Sequence, residues 1–186
     1  LRGHGFAASH RAAGKAVHGR RREELKLMRR IVHVSDLHFP PRSGRQVRAL
    51  AEAIRALAPD LLVVSGDLTR RGSRAEFAAA ADFLSGLPLP QLVIPGNHDV
   101  PLFHLPARMT NPFQRYRKAL TEDLAPLHVD EEIAVAGLNT SRGVQLRLDW
   151  SRGRIGERTV RRAVERLARV ARDRVRIAVT HHPLSP

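Results

Sequence analysis

The chain has 186 residues, a formal net charge of +14, no cysteine and 4% aromatic side chains. This length suits one domain with its own core, and the missing cysteine excludes a disulfide framework, a thiolate zinc site and a cysteine nucleophile. No apolar run approaches the roughly 20 residues of a spanning helix, so no membrane span is predicted and a cytoplasmic location is the expectation.

Residues 1–27 carry seven basic and two acidic residues and show neither strand alternation nor a helical apolar face. They are read as a disordered basic extension, with the folded domain beginning at Met28 and running over 28–186. Ile31-Val32-His33-Val34-Ser35 is a short β-branched run, a buried strand ending at Asp36, with His33 expected in the core. Val47, Leu50, Ala51, Ile54, Leu57 and Ala58 recur at helical spacing, and Pro59 closes that helix. Leu61-Leu62-Val63-Val64 is a second strand, ending at Ser65-Gly66-Asp67. Ser73 with Glu76 forms a capping box for a helix carrying Phe77, Ala80, Ala81 and Leu84 and stopping at Gly86.

Leu92-Val93-Ile94 is a third strand, delivering Pro95-Gly96-Asn97-His98-Asp99. Strand–helix alternation of this kind implies right-handed crossovers and a largely parallel sheet in an α/β fold. A helix is predicted around Phe113–Leu120 and a strand over Glu132–Leu138, leading to Asn139-Thr140. Glu157–Asp173 reads as an amphipathic helix with Val160, Val164, Leu167 and Ala171 on its apolar face. Val175–Val179 is a last strand before Thr180-His181-His182-Pro183. The stretch 142–176 holds twelve arginines against four acids. Of the 32 basic residues 29 are arginine, beside 24 alanines, which fits a GC-rich coding bias on solvated faces better than a dedicated basic surface.

Four polar clusters therefore sit at the carboxyl ends of strands, the edge where open α/β sheets bind ligands. They are Asp36-x-His38, Gly66-Asp67, Gly96-Asn97-His98-Asp99 and His181-His182. Each alone has an ordinary explanation as a turn or cap; their succession after consecutive strands argues against coincidence. Carboxylate, imidazole and amide donors suit manganese, iron or zinc. One ion would take Asp36, His38 and an oxygen of Asp67, and a second the other Asp67 oxygen, Asn97 and His181. A shared carboxylate would hold the pair about 3.5–4 Å apart, the spacing of two-metal phosphate chemistry.

Asp36-Leu37-His38, Gly66-Asp67-Leu68-Thr69, Gly96-Asn97-His98-Asp99 and Thr180-His181-His182-Pro183 together resemble the calcineurin-like metallophosphoesterase superfamily, over about residues 29–186. Within it, Ser-Asp-Leu-His-Phe, Ser-Gly-Asp-Leu-Thr and Val-Ile-Pro-Gly-Asn-His-Asp look most like the bacterial cyclic-nucleotide phosphodiesterase type. The resemblance implies a four-layer α/β-β/α sandwich around two divalent or trivalent metal ions, with Asp67 bridging and His181, first of the paired histidines, as a ligand. The implied activity is hydrolysis of a small phosphoester by a metal-bridging hydroxide. His98 is then the candidate proton donor to the leaving alkoxide, with Asp99 expected to orient its ring.

The family's last motif, Gly-His-x-His, does not occur in this sequence. The domain is accordingly expected to be incomplete at its carboxyl end, with three protein ligands for each ion rather than four and weak or no activity in this chain. Two other readings were weighed. Repair nucleases of the superfamily resemble Asp-Trp-His-Leu-Gly and Gly-Asp-x-x-Asp, which this sequence does not match. A non-catalytic nucleic-acid-binding module would use the arginines of 157–173, but they have no interleaved aromatics. Nucleic acid is not the expected partner.

Overall fold

The computed structural model describes residues 28–40, 44–102, 104–143 and 153–183; the expected extension over 1–27 lies outside them. Every element belongs to one unit, Ile31–Pro186. Strands β1 (Ile31–Val34), β2 (Leu61–Ser65) and β3 (Gln91–Ile94) form a parallel sheet in that order. Strands β4 (Leu127–Val129), β5 (Ile133–Leu138) and β6 (Val175–Thr180) form a second, with β5 antiparallel to β4 and parallel to β6.

The period of two along each strand sorts the side chains into layers. Leu61, Val63, Leu92 and Ile94 turn to one face and pack with Ile133 and Val135, so the sheets share an apolar interior. Leu62, Val64 and Val93 belong to the opposite cluster, covered by helices α1 (Gly44–Leu57) and α2 (Arg74–Ser85) together with Phe113 and Tyr116. Two short helices follow, α3 (Leu105–Thr110) and α4 (Gln114–Ala119), and α5 (Glu157–Ala168) lies against β5. The expected α/β architecture with mostly parallel pairing is observed.

Local chemistry explains the boundaries. In α2 the capping box is complete: Ser73 Oγ accepts from Glu76 N, and Glu76 Oε2 accepts from Ser73 N at 2.9 Å. The first helix stops one residue earlier than its spacing suggested, because Ala58 takes a left-handed φ of 43° before Pro59 and leaves Leu57 exposed. His33 is not a core residue: β1 is an edge strand, and the exposed ring bonds Ser65 Oγ at 2.7 Å.

The predicted apolar face of the last helix is also corrected. Val160 and Val164 are 39% and 59% exposed, while Thr159, Ala163, Arg166 and Leu167 turn inward. Small side chains let α5 approach the sheet, and Arg166 stays partly buried because its Nη1 donates to Ala125 O. Helix α3 and strand β4 were not foreseen. The first is six residues long and the second three, too short to show a period.

Candidate metal centre

The segments leaving β1 and β2 keep running side by side after the strands end. Asp36 N, His38 N and Phe39 N donate to Gly66 O, Asp67 O and Leu68 O at 3.1, 3.0 and 2.7 Å. Four residues here have left-handed backbones: Asp36 (φ 56°), His38 (47°), Asp67 (52°) and Gly66 (97°). Non-glycine residues with such angles are strained and cluster at functional sites. The kinked path turns Asp36, His38 and Asp67 toward one point, where their donor atoms lie within 4.8 Å of one another.

Two glycines permit this convergence. A Cβ on Gly96 would lie 2.1 Å from Asp67 Oδ1 and 2.2 Å from Asp67 N, and one on Gly66 would meet Gly96 N at 2.7 Å and His181 Nδ1 at 2.8 Å. The loops after β2 and β3 thus touch backbone to backbone, and Asp67 is wedged between them.

The histidine tautomers follow from their partners. His38 Nδ1 lies 3.1 Å from Thr69 O, and His181 Nδ1 lies 2.7 Å from Ser65 O. A carbonyl only accepts, so both Nδ1 atoms carry the proton and both Nε2 atoms face the site. This is how metal-binding histidines are held by their surroundings. His38 Nε2 is 3.8 Å from Asp36 Oδ1. His181 Nε2 is 3.3 Å from Asp67 Oδ1 and 3.1 Å from Asn97 Oδ1. Asp67 therefore lies within 4.8 Å of the Asp36 and His38 donor atoms and also beside His181, which in turn meets Asn97. Oxygen and imidazole donors gathered this closely are chemically suited to a divalent cation. Burial disfavours charge on Asp67, yet the bonds from His181 and His98 N hold its pKa below the usual carboxylate value. For His181 burial again opposes charge, and Asp67 raises the pKa despite it.

His98 donates its backbone N–H to Asp67 Oδ1 at 2.9 Å, and its Nε2 lies 4.0 Å from Asp67 Oδ2. The ring stands edge-on to His38 with centroids 5.0 Å apart. The expectation that Asp99 orients this ring is corrected. His98 Nδ1 donates instead to Arg70 O at 2.8 Å. Asp99 is fully buried and accepts from Gly96 N, Leu68 N and Thr69 N at 2.8, 3.2 and 2.9 Å. Its carboxylate is the clasp between the β2 and β3 loops, where clustered backbone donors need an acceptor. Burial pushes its pKa up to about 6, against the pull of the Gly96 and Thr69 amides.

Sequence reasoning quoted Thr69 and Thr140 but assigned them no contact. Thr69 Oγ1 lies 2.9 Å from His98 O and accepts from Gly72 N at 3.1 Å, which ties the two loops again. Thr140 Oγ1 lies 2.7 Å from His182 Nδ1, so the second of the paired histidines grips β5 while the first faces Asp67. A hydroxyl at the end of each strand was the available signal.

Two facing sheets thus bring carboxylate, imidazole and amide donors to one carboxyl edge, the place where α/β sheets bind ligands. Comparison with known proteins agrees. The model of the calcineurin-like phosphoesterase family matches residues 29–186, and the chain belongs to that family. It is 30% identical over 144 residues to a Synechococcus protein named "Probable cyclic nucleotide phosphodiesterase", covering 68% of this chain and 52% of that protein. It is 34% identical over 80 residues to the glycerophosphodiester phosphodiesterase GpdQ of Enterobacter lignolyticus, covering 37% and 29%. The matched part is about half the length of the first relative and less than a third of the second. Among the described residues no helix is long and apolar enough to cross a membrane.

Proposed function

We propose that the protein is a metal-dependent hydrolase of small phosphodiesters, with cyclic nucleotides as the leading substrate class. The single observation that carries this reading is the position of Asp67, one carboxylate facing both Asp36–His38 and Asn97–His181. Asp36, His38 and Asp67 would hold one ion, and Asp67, Asn97 and His181 the other, with manganese, iron or zinc best suited to the donors. Bound cations supply Lewis-acid charge and an acidified water, the usual needs of phosphoester hydrolysis.

The side chains supply the rest. A cavity of about 510 Å3 opens beside Asp36 and His38, with Phe39, Gln46, Leu50 and Arg70 in its wall. Its size suits a mononucleotide-sized ligand. Arg70 Nε donates to His38 O at 3.1 Å, which ties a guanidinium suited to phosphoryl oxygens into the cavity wall. His98 keeps a proton on Nδ1 through Arg70 O. Nε2 is then the nitrogen left to meet the leaving oxygen, and the doubly protonated ring would give up its Nε2 proton as the P–O bond breaks. Asp99 holds the loop that carries His98.

Hydrolysis of bis(p-nitrophenyl) phosphate and cyclic AMP with added manganese, and again with chelator, tests the reading. Chelator-sensitive release of nitrophenol is expected. Failure of Asp67→Asn to reduce manganese uptake would refute the shared-carboxylate centre.

A further inference from the structure

We propose that the arginine-lined cleft between β5 and α5 is an anion site for a small molecule bearing a diphosphate or triphosphate, separate from the metal centre. The cleft encloses about 490 Å3, within the range of small-molecule pockets. Arg142, Arg154, Arg158, Arg162 and Arg166 line it, the last three along α5, and the Arg142 guanidinium lies close to Gly156 at the start of that helix. Among the described residues no acid lines it; Glu157 and Glu165, the acids of α5, are absent from its wall. No described carboxylate makes an ion pair with Arg142, Arg154, Arg158 or Arg162.

Arg158, Arg162 and Arg166 follow one another at intervals of four, which places them on one face about 6 Å apart. Like charges at that spacing destabilise a helix. A multiply charged anion seated between them removes the repulsion and uses guanidinium forks that match phosphoryl oxygens. Arg166 is already anchored through Ala125 O, so one fork is held in advance. The backbone of Arg154 is fixed likewise, its N–H donating to Thr140 O at 2.9 Å.

No described residue of the wall is aromatic, and the guanidinium groups put recognition on phosphoryl oxygens. A concave pocket lined by five arginines also differs from the open stripe that tracks a polynucleotide. The cleft adjoins the strand end of the metal centre: Asn139 and Ser141 line it, and Thr140 between them holds His182. It uses none of Asp36, His38, Asp67, Asn97, His98 and His181, and binding there needs no metal.

Calorimetric titration of tripolyphosphate into the chain, stripped of metal and dialysed free of chelator, tests this. Saturable binding is expected, stronger than that of orthophosphate and weakened at least tenfold in R158A/R162A. Arg142→Ala, a change outside α5, should weaken it at least threefold and decides the matter if the helix variant fails to fold. Unchanged affinity in the folded variants overturns the proposal. So does a single-stranded oligonucleotide that binds more tightly than tripolyphosphate through the same arginines, since that outcome makes the cleft a nucleic-acid surface.

Discussion

Gly96→Ala is the sharpest perturbation of the metal centre, because one methyl group reaches the shared carboxylate. The added Cβ would stand 2.1 Å from Asp67 Oδ1 and 2.2 Å from Asp67 N, where even a tight contact needs 3.0 Å. Relief requires a retreat of about 1 Å, and a new Asp67 rotamer cannot supply it, since the backbone nitrogen is struck as well. Metal–ligand distances tolerate only about 0.2 Å. Both positions should therefore lose affinity together, and hydrolysis should fall by about 10²-fold, the effect of a misplacement of that size. Overpacking at this point should cost about 1–3 kcal/mol of stability. Gly86→Ala is the control: its Cβ would meet nothing nearer than 3.4 Å, and its φ of −72° suits any residue. That variant should keep wild-type metal uptake and hold or slightly raise stability. Manganese stoichiometry by elemental analysis and thermal melting read the two effects separately. If folded Gly96→Ala still takes up two equivalents of manganese at wild-type affinity, the wedged-carboxylate argument is wrong.

His98→Ala should slow hydrolysis by about 10²-fold or more with manganese content unchanged, because the backbone N–H that bonds Asp67 survives the substitution; parallel loss of metal would make His98 a ligand instead. Ser73→Ala should cost about 1 kcal/mol through loss of the helix cap, read as a lowered melting temperature. Tyr116 is the chain's one tyrosine, fully buried, with its hydroxyl donating to Val93 O at 3.0 Å. Burial raises its pKa well above 10, so above pH 10 the unfolded chain sheds a proton that the folded chain keeps. Stability should then fall as pH rises past 10, and by less in Tyr116→Phe. Absorbance at 295 nm follows that ionisation without overlap from another tyrosine, and an ionisation that precedes unfolding would refute the buried assignment.

Much of the fold was legible because its signals are local. The capping box of Ser73 and Glu76 closes within four residues, and the apolar runs at 61–64 and 92–94 report burial on both faces, as in a parallel sheet. The candidate site was legible for the same reason: Asp36, His38, Asp67, Asn97 and His181 each follow a strand directly, and parallel strands bring their ends to one edge. What the sequence could not reveal depends on partners far along the chain. Asp99 lies next to His98 in sequence yet serves the amides of Leu68 and Thr69, about 30 residues away. Thr140 meets His182 across 42 residues, and Gly96 is required by the position of Asp67 rather than by its own turn. Residue type and order thus determined which donors this protein carries and at which strand ends. Only the tertiary structure decided which ring nitrogen of each histidine faces the site, because Nδ1 of His38 is claimed by Thr69 O and that of His181 by Ser65 O at the end of β2. The same holds for the side of α5 that turns inward: close approach of the helix favoured small Thr159 and Ala163 over the hydrophobic Val160 and Val164.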